Sequence, residues 1–139
     1  MDGAVIKSVN YTSSCVAYNN GKGHFTVKKL PMAMQLSSVN AILVIDINND
    51  GYKDIIAAGN FFDLLPQFCR VDASYGHVLI NDKKGNFVEM PAAKTGISLS
   101  GQIRDIISFT YKNEPNLLFL ENNDFPVMYR LISKTKTTK

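Results

Sequence analysis

The sequence predicts an all-β fold. Short runs rich in β-branched and aromatic residues recur at near-regular spacing, and clusters of Asn, Asp, Gly and Lys separate them. No segment shows the 3.6-residue periodicity of a convincing amphipathic helix. The segment 18–25 is echoed at 80–87, so that Phe25 and Phe87 lie 62 positions apart. Together these features predict a partial β-propeller of about two four-stranded blades plus an extra strand or two.

Ten segments have the length and composition of strands. They are 4–7, 15–18, 24–28, 41–45, 54–58, 76–80, 86–90, 103–110, 116–120 and 127–131. The turns 19–23, 81–85 and 112–115 are rich in residues that favour tight turns. The segments 30–39, 60–74 and 92–100 are longer connections. The repeat divides the chain into four parts: strands of an incomplete first repeat (1–22), a calcium-loop repeat with a long insertion (23–82), a degenerate second repeat (83–131) and a disordered tail (132–139).

The segment 46–54, with the sequence DINNDGYKD, carries the strongest functional signal. Three carboxylates crowded into one short turn repel one another unless a cation balances them. Oxygen ligands at short, regular spacing are typical of Ca²⁺, which takes roughly six to eight of them. We therefore predict a Ca²⁺ site. The predicted ligands are the side chains of Asp46, Asn48, Asp50 and Asp54 and the carbonyl of Tyr52.

Two other structures share part of this pattern. An EF-hand requires an acidic residue at its twelfth position, where this chain has Ala57, and amphipathic helices on both sides. A plain hairpin turn explains Asn49 to Gly51, but it does not explain the acids at both ends. The apolar flanks are instead typical of strands buried on both faces.

The second copy of the repeat lacks these acids. Lys53 to Ile56 align with Pro115 to Leu118 at the offset of 62, and Ile45 to Ile47 align loosely with Arg104 to Ile106. Ser108 and Phe109 stand where ligands would be required. We therefore expect one calcium ion rather than two.

The order of these features resembles the FG-GAP or VCBS repeat of integrin-type β-propellers and of large exported proteins. The resemblance lies in a turn of the form Asn-Asp-x-x-Gly-x-Phe, apolar strands and the loop DxNxDGxxD, and it covers about residues 15–131. The segments 59–76, 101–106 and 121–124 also resemble the C-terminal end of multi-repeat proteins, including those with an ASPIC/UnbV domain. The resemblance implies a calcium ion that rigidifies the hairpin between two blade strands.

This resemblance implies a non-catalytic module that binds protein or carbohydrate, located outside the cell or in the cell envelope. Further blades or a second copy would cover its open strand edges. The net charge of +3 arises largely from the C-terminal lysines, so it does not indicate nucleic-acid binding. No apolar stretch approaches the roughly 20 residues of a membrane span.

The long connection 60–74 and its neighbour Tyr75 are rich in aromatic residues. If exposed, Phe61, Phe62, Phe68 and Tyr75 would form a stacking surface for a sugar ring or a partner protein. If buried, they would close the edge of the fold, and we expect burial to be the commoner role of such residues.

An enzymatic function is the alternative. A glycan-acting hydrolase would need two carboxylates about 5 to 9.5 Å apart across a cleft. The candidate acids are Asp63, Asp72, Glu89, Glu121 and Asp124, but their spacing predicts no pair. His24 and His77 are expected at strand ends beside turns. Cys15 and Cys69 could form a disulfide, but we expect both to be small core residues.

Overall fold

Nine β-strands make up nearly all the regular structure of residues 5, 7–65 and 67–132, which the computed structural model describes. The strands are β1 Cys15–Asn19, β2 Phe25–Lys29, β3 Val39–Ile45, β4 Asp54–Gly59, β5 His77–Asn81, β6 Phe87–Glu89, β7 Ile103–Tyr111, β8 Glu114–Glu121 and β9 Val127–Arg130. Two one-turn helices accompany them, a 3₁₀ turn at Met32–Gln35 and α1 at Ala92–Thr95. The all-β prediction is confirmed.

The strands form three antiparallel sheets in chain order. β1 and β2 form a hairpin, β3 to β6 form a four-stranded meander, and β7 to β9 form a three-stranded meander. Nine of the ten predicted strands are present with their ends shifted by one or two residues. Of the tenth, at 4–7, only residues 5 and 7 are described, and neither is in a strand. The predicted disordered tail lies outside the described residues except for residue 132. The repeat boundaries at 22/23 and 82/83 fall inside the turns of the β1–β2 and β5–β6 hairpins, so each sequence repeat straddles two sheets.

The middle sheet is covered on both faces at β4, where every residue is buried. On one face, Ile56 and Ala58 pack in a cluster with residues of the third sheet such as Leu117 and Phe119. On the other face, Ile55 and Ala57 pack with Met34 of the 3₁₀ turn and with residues of the first hairpin. Side chains alternate between faces along a strand, so a continuous apolar run such as β4 requires this double coverage.

The prediction of burial on both faces is wrong for β3. Ala41 is buried against the third sheet, but Ile42 and Val44 are 60% and 56% exposed. They pair with Ala57 and Ile55 and therefore face the first hairpin. That hairpin has only two strands, and β3 is an edge strand of the middle sheet, so these two side chains remain uncovered.

The turns of the β1–β2 and β5–β6 hairpins make the same hydrogen bonds at an offset of 62. The N–H of Gly21 donates to Asn19 Oδ1 at 2.8 Å, and the N–H of Lys83 donates to Asn81 Oδ1 at 2.9 Å. One position further along, the N–H groups of Lys22 and Lys84 donate to Asn20 and Asp82, each at 2.8 Å. The similarity of the two sequences is thus accompanied by the same local structure.

The β3–β4 and β7–β8 pairs also correspond, since each has a register shift near the start of its first strand, at Val39/Ala41 and at Ile103/Asp105. The second strands keep the offset of 62, whereas the first strands are offset by 64: Ile45 pairs with Asp54 as Phe109 pairs with Asn116. The alignment of Ile45 to Ile47 with Arg104 to Ile106 is therefore wrong. The acid segment is replaced in the third sheet by a two-residue turn, Lys112-Asn113, with φ of 49° and 64°.

The long connection after β4 is held by the buried side chain of Asn60. Its Nδ2 donates to the carbonyls of Ser74 at 2.8 Å and Gly101 at 3.1 Å, and its Oδ1 accepts from Ser37 Oγ at 2.8 Å and Ser74 N at 2.9 Å. Asn60 has a φ of +82°, a conformation that Asn tolerates better than most residues. This one side chain ties the connection to the start of the third sheet.

The expectation that both cysteines lie in the core is wrong. Cys15 and Cys69 are exposed and free. Cys15 opens an edge strand, and Cys69 lies in the connection that follows β4. Burial of a small thiol requires a covered face, and neither position has one.

Candidate metal centre

The acid segment 46–54 forms the connection between β3 and β4, with strands on both sides as the sequence predicts. The helices of an EF-hand are absent from this described part of the chain. Asn49 and Gly51 adopt left-handed backbone angles, with φ of 57° and 89°. These angles fold the segment tightly enough for alternate side chains to turn toward its interior.

Two of the predicted ligands, Asp46 and Asn48, bond to the backbone N–H of a third, Asp50. The N–H of Asp50 donates to Asp46 Oδ1 and to Asn48 Oδ1, each at 3.1 Å. Asp46 Oδ2 accepts the N–H of Gly51 at 2.8 Å, and Asp50 Oδ1 accepts the N–H of Tyr52 at 3.0 Å. The side chains of Asp46, Asn48 and Asp50 therefore have fixed positions close to one another.

Asp54 has a different environment. It is fully buried, and its two oxygens accept backbone N–H groups on opposite sides: Oδ2 from Ile47 at 3.0 Å and Oδ1 from Asn81 at 2.9 Å. Asn81 ends β5, and its own Nδ2 donates to the carbonyl of Lys53 at 3.1 Å. Asp54 therefore anchors the acid segment to the β5–β6 hairpin.

A lysine from that hairpin supplies positive charge to the segment. Lys83 Nζ lies 3.2 Å from Asp50 Oδ2 and 5.3 Å from the centre of the Tyr52 ring. The pKa of the Asp50 carboxyl is lowered, first by the N–H of Tyr52 and then by hydrogen bonds from Lys83 and Asn48. The lowered pKa extends to more acid pH the range in which Asp50 is ionised, which is the form that a metal requires.

The donors fit a hard cation in part. Both oxygens of Asp46, Asn48 Oδ1 and Asp50 Oδ1 each have a second lone pair beyond the one used by a backbone N–H, so these side chains can still bind a metal. The other oxygen of Asp50 is engaged by both Asn48 Nδ2 and Lys83 Nζ. The Tyr52 carbonyl is at the expected position in the chain. Within the described residues, however, no three His, Cys, Asp or Glu side chains form one group, since Asp54 turns to its two amides. A role of Asp54 as a direct ligand remains a prediction, whereas its anchoring contacts are present in the structure.

Two cavities adjoin the acid segment. The larger, about 790 Å³, lies between the middle and third sheets and is lined by Ile47 and Asn48 together with apolar residues such as Met90 and Leu117. The smaller, about 220 Å³, is lined by Asp46 and Asn49 and by Pro115 of β8. Neither cavity has two carboxylates in its wall, so neither provides the acid pair of a glycoside hydrolase.

The four aromatic residues of the predicted binding surface divide into two pairs. Phe61 and Phe62 are half-buried: Phe61 forms a bridge with Val71, and the guanidinium of Arg70 lies 4.8 Å from the Phe62 ring centre. Phe68 and Tyr75 are 60% and 56% exposed. Phe61 and Phe62 therefore pack against other residues of the connection between β4 and β5. The rings of Phe68 and Tyr75 are instead exposed to solvent.

Among the candidate catalytic acids, Glu121 and Asp124 lie near each other, and Asp72 is exposed. Glu89 contacts His77 Nδ1 at 2.8 Å, and Asp63 lies 3.6 Å from Arg104. Burial raises the pKa of Glu121, and the nearby charge of Asp124 raises it further, but neither residue lines a cavity described above.

The two histidines differ from each other. His24 is exposed at its turn, as expected, whereas His77 is buried at the start of β5 and paired with Glu89. The neighbouring strand β6 brings Glu89 opposite Leu79, two residues from His77, which explains the contact.

Sequence reasoning missed two groups at the site, Lys83 and the backbone N–H of Asn81. Both lie about 30 positions from the acid segment and reach it through the pairing of β4 with β5. A signal was available for Lys83 in the sequence, because the equivalent turn position in the other repeat is Gly21, and glycine is typical of left-handed positions that a lysine rarely adopts.

No family model, curated protein or solved structure matches the chain. No helix among the described residues is long and apolar enough to cross a membrane.

Proposed function

We propose that this chain is a calcium-stabilised β-propeller-repeat module that binds protein or carbohydrate and has no catalytic role. The observation that carries the proposal is that Asp46 and Asn48 both accept the N–H of Asp50, while Asn48 Nδ2 donates to the Asp50 carboxylate, in a turn between two strands. Prearranged anionic oxygens in a strand-to-strand turn favour a cation that orders the turn. The expected Ca²⁺ affinity is on the order of 10⁻⁴ to 10⁻³ M, as in extracellular modules. Such an affinity suits a location outside the cell or in its envelope.

The arrangement of sheets supports the propeller part of the proposal. Three antiparallel sheets follow one another in the chain, and the middle one packs its two faces against the other two. Equivalent turns and equivalent register shifts recur at an offset of about 62 residues. A propeller is built in this way from successive meanders stacked face to face.

Uncovered apolar positions support association with further blades or with a second copy. Ile42 and Val44 are exposed on β3. On the outer face of the third sheet, Ile107, Leu118 and Met128 form a cross-strand row, of which Ile107 and Met128 are exposed. Apolar side chains in register on an open sheet favour coverage by another sheet.

The ligand surface is assigned to the connection between β4 and β5. Phe68 and Tyr75 expose their rings there, while Asn60 holds the backbone of the connection in place. Exposed aromatic rings on an anchored loop stack on sugar rings or pack against a partner's apolar side chains with little loss of conformational freedom.

Terbium luminescence provides a direct test of the metal site. The chain contains six tyrosines and no tryptophan, and Tyr52 lies within the acid segment, so tyrosine excitation should sensitise a bound terbium ion. We expect a saturable signal that Ca²⁺ displaces. The signal should be weaker in Tyr52→Phe, which keeps the carbonyl, and absent in the double variant Asp46→Asn/Asp50→Asn. A wild-type protein that gives no Ca²⁺-displaceable signal would overturn the proposal.

A further inference from the structure

The acid segment has a positive charge of its own within reach. Lys83 Nζ contacts Asp50 Oδ2 at 3.2 Å, and Asn48 Nδ2 donates to the same oxygen at 3.2 Å. The other oxygen of Asp50 accepts the N–H of Tyr52. One oxygen of a predicted metal ligand is thus already engaged by an ammonium group and a side-chain amide.

The backbone holds Lys83 in this place. Its φ is +64°, a left-handed conformation that is unfavourable for a residue with a Cβ. The equivalent turn of the β1–β2 hairpin uses Gly21, with a φ of +77°, to make the same turn hydrogen bond. At this turn position the β5–β6 hairpin therefore has a lysine, whereas the β1–β2 hairpin has glycine, the residue best suited to a left-handed conformation. The contact between Lys83 and Asp50 gives this substitution a physical reason.

The two hairpins are also joined beneath the contact. Asp54 accepts the N–H of Asn81, and Asn81 Nδ2 donates to the carbonyl of Lys53. Because Asn81 lies two residues before Lys83, these bonds hold the base of the lysine near the acid segment. The side chain itself is about half exposed, so it has room to swing into solvent.

We propose that Lys83 is the internal counter-ion of the acid segment: its ammonium balances Asp50 in the metal-free protein and is displaced when Asp50 binds Ca²⁺. The proposal rests on the calcium site proposed above. The consequence is a trade-off, since Lys83 stabilises the metal-free segment and thereby weakens its affinity for Ca²⁺. Lys83 is an affinity-determining residue, not a ligand, because an ammonium group has no lone pair to offer a metal.

The test compares Lys83→Gln with Lys84→Gln. Both variants remove one positive charge from the same turn, but among the described residues only the Lys83 ammonium forms an ion pair with a carboxylate of the acid segment. Calcium affinity is measured by calorimetric titration, and stability by thermal unfolding in excess chelator. Removing a cation about 3 Å from a ligand oxygen should tighten Ca²⁺ binding about 3- to 10-fold, whereas Lys84→Gln should change it less than about 2-fold.

In chelator, Lys83→Gln should unfold at a lower temperature than Lys84→Gln. The inference is overturned if wild type binds Ca²⁺ and Lys83→Gln binds it no more tightly than Lys84→Gln does. It is also overturned if the two variants have the same midpoint in chelator. Absence of Ca²⁺ binding by wild type and both variants would refute the calcium site and the displacement step together. In that case a lower midpoint for Lys83→Gln in chelator would still show that Lys83 is the counter-ion of Asp50.

Discussion

Replacement of Asp54 by alanine tests the anchoring of the acid segment independently of any metal. The carboxylate is fully buried and accepts two backbone N–H groups, from Ile47 at 3.0 Å and from Asn81 at 2.9 Å. A hydrogen bond to a charged acceptor contributes about 1.5 to 3 kcal/mol, and a buried donor left without an acceptor costs about 1 to 3 kcal/mol. These contributions overlap, so we expect Asp54→Ala to lower the free energy of unfolding by about 3 to 5 kcal/mol.

The loss should be measured by urea denaturation in the presence of a chelator, so that metal binding makes no contribution. For a chain of this length it corresponds to a fall in the thermal midpoint of roughly 10 to 17 °C. Asp54→Asn keeps one acceptor oxygen and should lose about half as much. Asp50→Asn, in the same segment but facing solvent and Lys83, is the matched control and should lose much less. If Asp54→Ala stays within about 1 kcal/mol of wild type under these conditions, the anchoring role is wrong.

Two further substitutions test hydrogen bonds in the connections. Asn60→Asp replaces the amide that donates to the carbonyls of Ser74 and Gly101 by an acceptor, so urea denaturation at neutral pH should show a loss of at least about 3 kcal/mol. The exposed Asn123, whose φ is also positive, is the control for the same change, and equal effects at the two sites would contradict the account. Asp82 has a lowered pKa, chiefly because the Asn86 side chain donates a hydrogen bond to it. The contribution of Asp82 to stability is therefore present above its ordinary pKa of 3.8 and is lost as the pH falls through the pKa of the folded state. Asp82→Asn should therefore flatten the fall in stability below about pH 4, measured as denaturant midpoints across the acid range, and an unchanged acid limb would refute this.

Most of the fold could be predicted from local features. Strand positions followed from short apolar runs between turn residues, and the β1–β2 and β5–β6 hairpins followed from their matching Asn and Gly positions. Hydrogen bonds within a turn join residues only two to four positions apart, so the sequence contains all that determines them.

Features that depend on what covers a sheet could not be predicted in this way. Ile42 and Ile56 lie in similar apolar runs, but one is exposed and the other is fully buried, because Ile56 faces the third sheet whereas Ile42 lies on the other face, where the first hairpin leaves it uncovered. The exposure of Cys15 has the same origin, since the hairpin that it opens has only two strands. The composition of a segment predicts that it forms a strand, whereas the burial of its side chains depends on which elements pack against it.

The candidate site likewise combines contacts that follow from the local sequence with contacts that depend on strand pairing. The positions of Asp46, Asn48 and Asp50 follow from the spacing of the acid segment, because each bonds to a backbone group within five residues. The contacts of Asp54 with Asn81 and of Asp50 with Lys83 span 27 and 33 positions. They arise from the pairing of β4 with β5. The spacing of residues within the acid segment contains no information about that pairing.

Thermal unfolding of the wild-type chain with and without Ca²⁺ tests the central claim most directly. With about 10 mM free Ca²⁺, roughly 10 to 100 times the expected Kd, linkage predicts a gain of about 1.4 to 2.7 kcal/mol over the same protein in chelator. The midpoint should rise by roughly 5 to 9 °C in wild type and stay unchanged in Asp46→Asn/Asp50→Asn. Equal wild-type midpoints in Ca²⁺ and in chelator would contradict the account.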